Sequence, residues 1–297
     1  MLYRVTHTTT YEYSEPVSIC HNEARLVPRE TERQKPFGTR LAIEPAAAVM
    51  TEDTDYFGNV VHFFTLQEAH RRLAVTALSE VEVIPYEPPA LSLSPQWESV
   101  RDRARADKSR DGLTALEYTL ESPHVRFMPE LAAYAASSFA PARPLLDATF
   151  ELTRRIREEF KYEPGTTGVT TPIDEVFALK RGVCQDFAHL QIAMLRALGL
   201  PARYVSGYVH NAPLPGQSRL EGGDASHAWV SVWAPGFGYV DFDPTNGSIP
   251  SHEHITLAWG RDFSDTSPLR GVILGGGSHV VRVRVEVLRV APAARAS

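Results

Sequence analysis

Three residues in the second half of the chain have the types and neighbours that nucleophilic chemistry needs: Cys184, His227 and Asp243. Cys184 follows Gly182-Val183 and opens the run Cys184-Gln185-Asp186-Phe187-Ala188-His189-Leu190. Phe187, Leu190, Met194 and Leu198 recur at helical spacing. The cysteine therefore stands in or just before the first turn of a helix that stops at Gly199. Unpaired N–H groups and the positive end of the helix dipole favour a thiolate at that place and could hold an oxyanion. An isolated cysteine is more often a small buried hydrophobe. That is the reading for Cys20, which lies in a strand-like segment without such neighbours.

His227 and Asp243 flank a hairpin signal. Two alternating runs, Ser226 to Trp233 and Phe237 to Asp243, surround Ala234-Pro235-Gly236. With the turn centred on Pro235, an in-register ladder pairs Trp233 with Phe237, Val230 with Val240 and His227 with Asp243. Opposed residues share a face, with Cβ atoms ~5 Å apart. Asp241 shares that face one pair nearer the turn and is the rival. A register slip would bring Asp241 or Phe242 opposite the histidine, and the turn centre favours Asp243. A strand-end histidine alone is usually a surface or capping residue. A nucleophile, a base and a group that fixes the base's tautomer are together the parts of a thiol enzyme.

Other clusters carry less. His252-Glu253-His254 is the densest histidine group, but no His-Glu-x-x-His and no paired cysteines accompany it, so no metal is expected. Asp186 and His189 read as helix-start and polar-face residues, and Arg261-Asp262 as a structural ion pair. Gly275-Gly276-Gly277-Ser278 lacks the Lys-Ser/Thr of a phosphate loop and reads as a turn.

The elements that must position these residues divide into two kinds. Up to residue 85 the chain reads as β: Leu2–Tyr13, Val17–Leu26, Thr39–Ile43, Val60–Thr65 and Leu73–Ile84, separated by turn signals such as Ser14-Glu15-Pro16. Short strands at this spacing predict a small sandwich. Four prolines between Pro85 and Pro95 mark a linker. Helices are expected over Trp97–Asp107, Pro129–Phe139, Leu145–Phe160 and Cys184–Leu198. Strands follow at Ala202–His210, Ala228–Trp233, Tyr239–Asp243 and Val280–Val287, the last with Val281, Val283, Val285 and Val287 on one face. The class is α+β, divided as 1–85 β-rich, 86–128 connecting and 129–297 carrying the chemistry.

A net charge of −6 with the signs interspersed excludes the basic footprint of a nucleic-acid binder. No run of ~18 apolar residues exists, so no membrane span is expected. The N-terminus has no apolar signal core, and two cysteines are no disulfide framework, so a cytoplasmic protein is expected. Oligomeric state is not legible.

The segments Gly182-Val183-Cys184-Gln185-Asp186, Ser226-His227-Ala228-Trp229 and Asp243-Pro244-Thr245-Asn246-Gly247 resemble the transglutaminase-like superfamily of papain-related cysteine enzymes, in that family's order. Residues 1–85 are similar to the β-rich N-terminal region of its bacterial members. Gly260-Arg261-Asp262-Phe263 is similar to their Gly-Arg-Asp-Tyr, with Phe263 for tyrosine. The resemblance implies Cys184 as nucleophile, His227 as general base and acid, Asp243 as orienter, and the cysteine helix packed on an antiparallel sheet. It leaves the reaction open, because members cleave peptides, transfer acyl groups to amines or have lost activity. The expectation is a peptidase or amidase acting on peptide or isopeptide bonds of a peptide or protein substrate, without a cofactor. Amine acyl transfer and a non-catalytic peptide-binding module are the alternatives.

Overall fold

The computed structural model describes residues 1–210 and 226–290. Alternation in the N-terminal region produces strands where it places them, although they run longer. β1 (Leu2–Ala24) is one continuous strand across the expected turn at Ser14-Glu15-Pro16. The turn signal survives as an irregularity, since pairing with its neighbour jumps from Glu12 to Val17. β2 (Gln34–Glu44), β3 (Val49–Thr54), β4 (Val60–Leu66) and β5 (His70–Val83) follow. β3 is exposed along its whole length, so no apolar alternation marks it in the sequence.

The middle of the chain is helical: α1 (Trp97–Ala106), α2 (Arg110–Glu117), α3 (Pro129–Ala136) and α4 (Leu145–Glu159). The two-residue strand β6 (Lys161–Tyr162), α5 (Ile173–Leu179) and the two-residue strand β7 (Arg181–Gly182) lead into α6 (Cys184–Ala197). β8 (Ala202–Val209), β9 (Ser226–Ala234), β10 (Gly238–Phe242) and β11 (His254–Gly260) come next. The described chain ends with α7 (Phe263–Thr266), β12 (Leu269–Gly275) and β13 (His279–Val290). The three glycines 275–277 all have left-handed φ and turn the chain from β12 to β13, as a loop rather than a ligand cradle.

β12 and β13 do not stay with the elements that precede them. Both pair with β1, in a seven-stranded sheet of order β2-β5-β1-β4-β3. Leu2 to Tyr13 of β1 lie alongside β13, and Val17 to Ala24 lie alongside β12. The two halves of this sheet enclose one apolar cluster that includes Tyr13, Val17, Phe64, Leu66, Leu73 and Val75, which makes the region sandwich-like. Cys20 is fully buried in it, as its segment suggested.

The second sheet has order β10-β9-β8-β11, antiparallel throughout. α6 lies on it, with Phe187, Leu190 and Met194 in one cluster with Val230, Val232, Val240 and Phe242. Every residue from Asp186 to Arg196 is buried, as the nearly all-round apolar pattern requires. Burial of each large side chain contributes roughly 1.5–3 kcal/mol, so this helix cannot shift without repacking the sheet. A third cluster joins the sheets: Tyr3, Val5, Val285 and Val287 pack on Tyr208, Ile255 and Leu257. No helix among the described residues is long and apolar enough to cross a membrane.

Candidate functional site

Cys184 is the first residue of α6. The chain reaches it through a tight start: Asp186 Oδ2 accepts from the Val183 N–H at 2.8 Å and from Thr167 Oγ1 at 2.6 Å. This side chain leaves no room beside it. A Cβ at Gly182 would meet Asp186 Oδ2 at 2.6 Å, so glycine is required there by close approach. Asp186 thus satisfies one free N–H next to the helix start and leaves that of Cys184 for other partners.

His227 is the second residue of β9, in the interior of its sheet. Its Nε2 lies 2.8 Å from Asp243 Oδ2. That leaves Nδ1 as the ring nitrogen available to the Cys184 sulfur, whose hydrogen bond and charge act on the imidazole. Burial alone would lower the imidazole pKa. The Asp243 charge and hydrogen bond, with the contribution of Cys184, outweigh burial and raise it to about 10. The sulfur also makes a loose contact with the Ser226 carbonyl, at 4.0 Å.

Asp243 is completely buried. Oδ1 accepts from the N–H groups of Thr245 and Asn246 at 2.9 and 3.2 Å. Oδ2 accepts from Asn246 Nδ2 at 2.5 Å and from His254 Nε2 at 3.1 Å. Its own N–H donates to Ser248 O, which closes the turn that carries these donors. Burial would push the carboxyl pKa up. The His227 charge and the hydrogen bonds of both histidines outweigh that and hold it well below the usual carboxylate range.

The hairpin register differs from the sequence expectation. Trp233 pairs with Tyr239, Val232 with Val240, Ser231 with Asp241 and Val230 with Phe242. The turn is centred on Gly236, and both Gly236 and Gly238 have left-handed φ. Two glycines can supply those angles, which the Pro235-centred turn left unused. The shift is two residues, and an even shift keeps every side chain on its face. Asp243 therefore stays on the face of His227 but is not its direct partner. It lies just past the end of β10 and reaches the imidazole diagonally. Asp241, the rival, faces Ser231 and does not touch His227.

Sequence reasoning missed the second histidine on the carboxylate. His254 was weighed only with His252, in a histidine group set aside as no metal site, yet His252 is only partly buried and paired with Glu253 at 3.9 Å. The donor atoms that converge are those of His227, Asp243 and His254, all within 4.8 Å and close enough to hold an ion. Their contacts at 2.8 and 3.1 Å are also those of two hydrogen bonds to one oxygen. His254 begins β11 and reaches this carboxylate from across β8, where Gly207 has no side chain to interfere. A Cβ there would lie 2.6 Å from Trp229 Cη2 and 2.1 Å from Ile255 O. Asn246 was within the Asp243-Pro244-Thr245-Asn246-Gly247 motif, but its hydrogen bond had no signature in spacing.

The remaining candidates are structural. Arg261 pairs with Asp265, at 2.9 and 3.0 Å, and not with Asp262 as its sequence neighbour suggested. Asp262 instead caps α7 through the Ser264 N–H and accepts from the His124 N–H. His189 is buried, stacked on His124 at 5.1 Å, and accepts from the Phe263 N–H. Burial, with His124 nearby, lowers its pKa to about 3, so it stays neutral.

Comparison with known proteins agrees with this architecture. Residues 3–82 match the family model of the bacterial transglutaminase-like N-terminal region, and residues 132–244 that of the transglutaminase-like superfamily. An uncharacterized protein of Mycobacterium tuberculosis is 40% identical over 96% of this chain and 92% of its own. A protein-glutamine gamma-glutamyltransferase of Pseudomonas aeruginosa is 36% identical over 37% of this chain and 17% of its own length. A candidate cysteine protease of Cytophaga hutchinsonii shares the fold with a TM-score of 0.75 at 20% identity, over 99% of this chain and 92% of that one. On this fold, these two matched regions and relatives alike over nearly their full length, the chain belongs to the transglutaminase-like superfamily.

Proposed function

We propose that the protein is a thiol hydrolase or acyltransferase acting on peptide or isopeptide amides, with Cys184 as nucleophile, His227 as general base and acid, and Asp243 as orienter. The observation that carries this reading is the position of His227, held by Asp243 through Nε2 with Nδ1 left for the sulfur. Cys184 gives its proton to His227 and its sulfur bonds to the carbonyl carbon. The oxyanion is held by the free Cys184 N–H at the helix start. His227 then passes the proton to the leaving nitrogen, the C–N bond breaks, and a thioester remains on Cys184.

Water, losing a proton to His227, resolves the thioester to a carboxylate and the free thiol. An amine would resolve it to a new amide. Hydrolysis is the preferred outcome, because water is always present and no feature of the site selects an amine. The likeness of about a third of the chain to a protein-glutamine gamma-glutamyltransferase keeps amine transfer as the second reading.

Mass spectrometry of Cys184 after brief incubation with a peptide library, with and without a primary amine, tests the proposal. Acyl adducts on Cys184 support it, and the amine-dependent products separate transfer from hydrolysis. Peptide binding without any adduct or turnover would instead favour a non-catalytic binding module.

A further inference from the structure

The cleft beside Cys184 and His227 encloses about 420 Å³. One wall comes from the N-terminal sheet. In the β1–β13 ladder Tyr11 pairs with Val281, Thr9 with Val283, His7 with Val285 and Val5 with Val287. These side chains share one face of the sheet, because alternate residues of paired strands project together. At the Val5 and Val287 end the face is buried against Tyr208 and Ile255 of the second sheet. At the other end it is not covered: Val281 is 44% and Val283 54% exposed, and both open onto the cleft with Tyr11. The same strand is thus part core and part cleft wall.

Tyr162 and Val169, also exposed, line the same cleft. Among the described residues the lining contains no Asp, Glu, Lys or Arg. His7, between the buried and open ends, is held by Tyr208 Oη at 2.8 Å and Thr9 Oγ1 at 3.0 Å, and burial lowers its pKa to about 4, so it adds no charge. Exposed apolar residues scattered singly mean little. Four of them lining one cleft beside Cys184 are suited to apolar ligand groups. A charged group entering this lining would lose water and find no ionic partner besides His227, which Asp243 already pairs.

We infer that the acyl donor carries a large apolar side chain on the residue that supplies the reacting carbonyl, and that the N-terminal sheet selects it through Tyr11, Val281 and Val283. The inference rests on the thiol acyl-transfer reading above. It gives the β-rich region a place in specificity, as one of the two walls of the cleft.

The test uses the full chain and peptide amides identical except for Leu, Phe, Gly, Glu or Lys at the residue that contributes the carbonyl. Leu and Phe should exceed Glu and Lys in kcat/KM by about tenfold or more, the scale at which hydrophobic pockets discriminate. Val283→Lys should lower the Leu-to-Glu ratio by about tenfold. Val280→Lys, on the opposite face of the same strand, should leave the ratio unchanged and controls for damage to β13. Thermal unfolding of both variants verifies that they fold.

Acylation of Cys184 without preference among the peptides overturns this inference while the proposed chemistry stands. An equal change of ratio in both variants also overturns it. No acylation by any peptide sinks the proposed chemistry and the inference with it.

Discussion

His254 donates through Nε2 to Asp243, 3.1 Å from the same carboxylate oxygen that holds His227. The carboxylate is thus fixed from two strands and from its own turn, and its orientation does not depend on His227 alone. Removing a hydrogen bond to a buried charge costs roughly 1.5–3 kcal/mol. His254→Ala should therefore lower thermal stability and reduce kcat by about tenfold, since a misplaced carboxylate misplaces the base. His254→Gln, which can still donate, should recover part of both losses. Unchanged kcat in His254→Ala would remove His254 from the positioning of the site.

Asp243→Asn should keep the shape of the site and remove the charge that favours imidazolium. A fall in kcat of roughly 10²–10⁴-fold is expected, as in other triads that lose this charge. Asp241→Asn should leave kcat within about twofold, because that residue faces Ser231. Steady-state turnover and thermal unfolding of the two variants give the comparison. A dead Asp241→Asn beside an active Asp243→Asn would reassign the orienting residue.

Cys184 should be alkylated far faster than Cys20. Cys184 is partly exposed beside His227, whereas Cys20 is fully buried in the sandwich-like sheet. Peptide mapping after brief iodoacetamide treatment at mildly acid pH reads the ratio. Cys184→Ala should abolish turnover and leave the unfolding temperature within a few degrees, and Cys184→Ser should be nearly inactive. Equal labelling of the two cysteines, or a Cys184→Ala enzyme with normal turnover, would be incompatible with the proposed nucleophile.

The raised pKa of His227 fixes the sign of a pH effect on stability. The folded protein binds this proton more tightly than the unfolded chain does. Its stabilisation is therefore fully present below the unfolded value of ~6.5 and is lost as pH rises through about 10. Asp243 acts oppositely: its folded pKa is depressed, so its contribution is present above the unfolded carboxylate value and lost as the medium becomes strongly acid. Urea unfolding from pH 6.5 to 10 should show wild-type stability falling relative to Asp243→Asn, in which the shift of His227 is largely abolished. Parallel curves across that window would contradict a strong coupling of the two groups.

The site was legible where chemistry coincides with local pattern. Cys184 could be placed at a helix start because Gly182 precedes it and apolar residues follow at helical spacing. His227 and Asp243 could be placed on one face because a two-residue period survives an even register error. His254 was not legible in the same way. It enters through β11, which pairs with β8 although β9 and β10 come between them in the sequence, and nothing in the local pattern of His252-Glu253-His254 says which of them turns inward. β12 was missed because most of it is exposed, and its partner β1 lies some 250 residues earlier. Its membership in the N-terminal sheet is a long-range fact that no window of sequence contains.

The pairing of β1 with β13 joins Leu2 to Val290. During synthesis β1 is made well before its neighbour β13. Until then one edge of β1 has no partner, and exposed strand edges invite pairing with other chains. Closing so long a loop is also slow compared with forming local contacts. The wall that carries Val281 and Val283 therefore forms only after Cys184, His227 and Asp243 have been synthesised. A nascent chain can hold the proposed nucleophile before it holds a finished cleft, so the proposed selectivity should arrive only once β13 has joined β1.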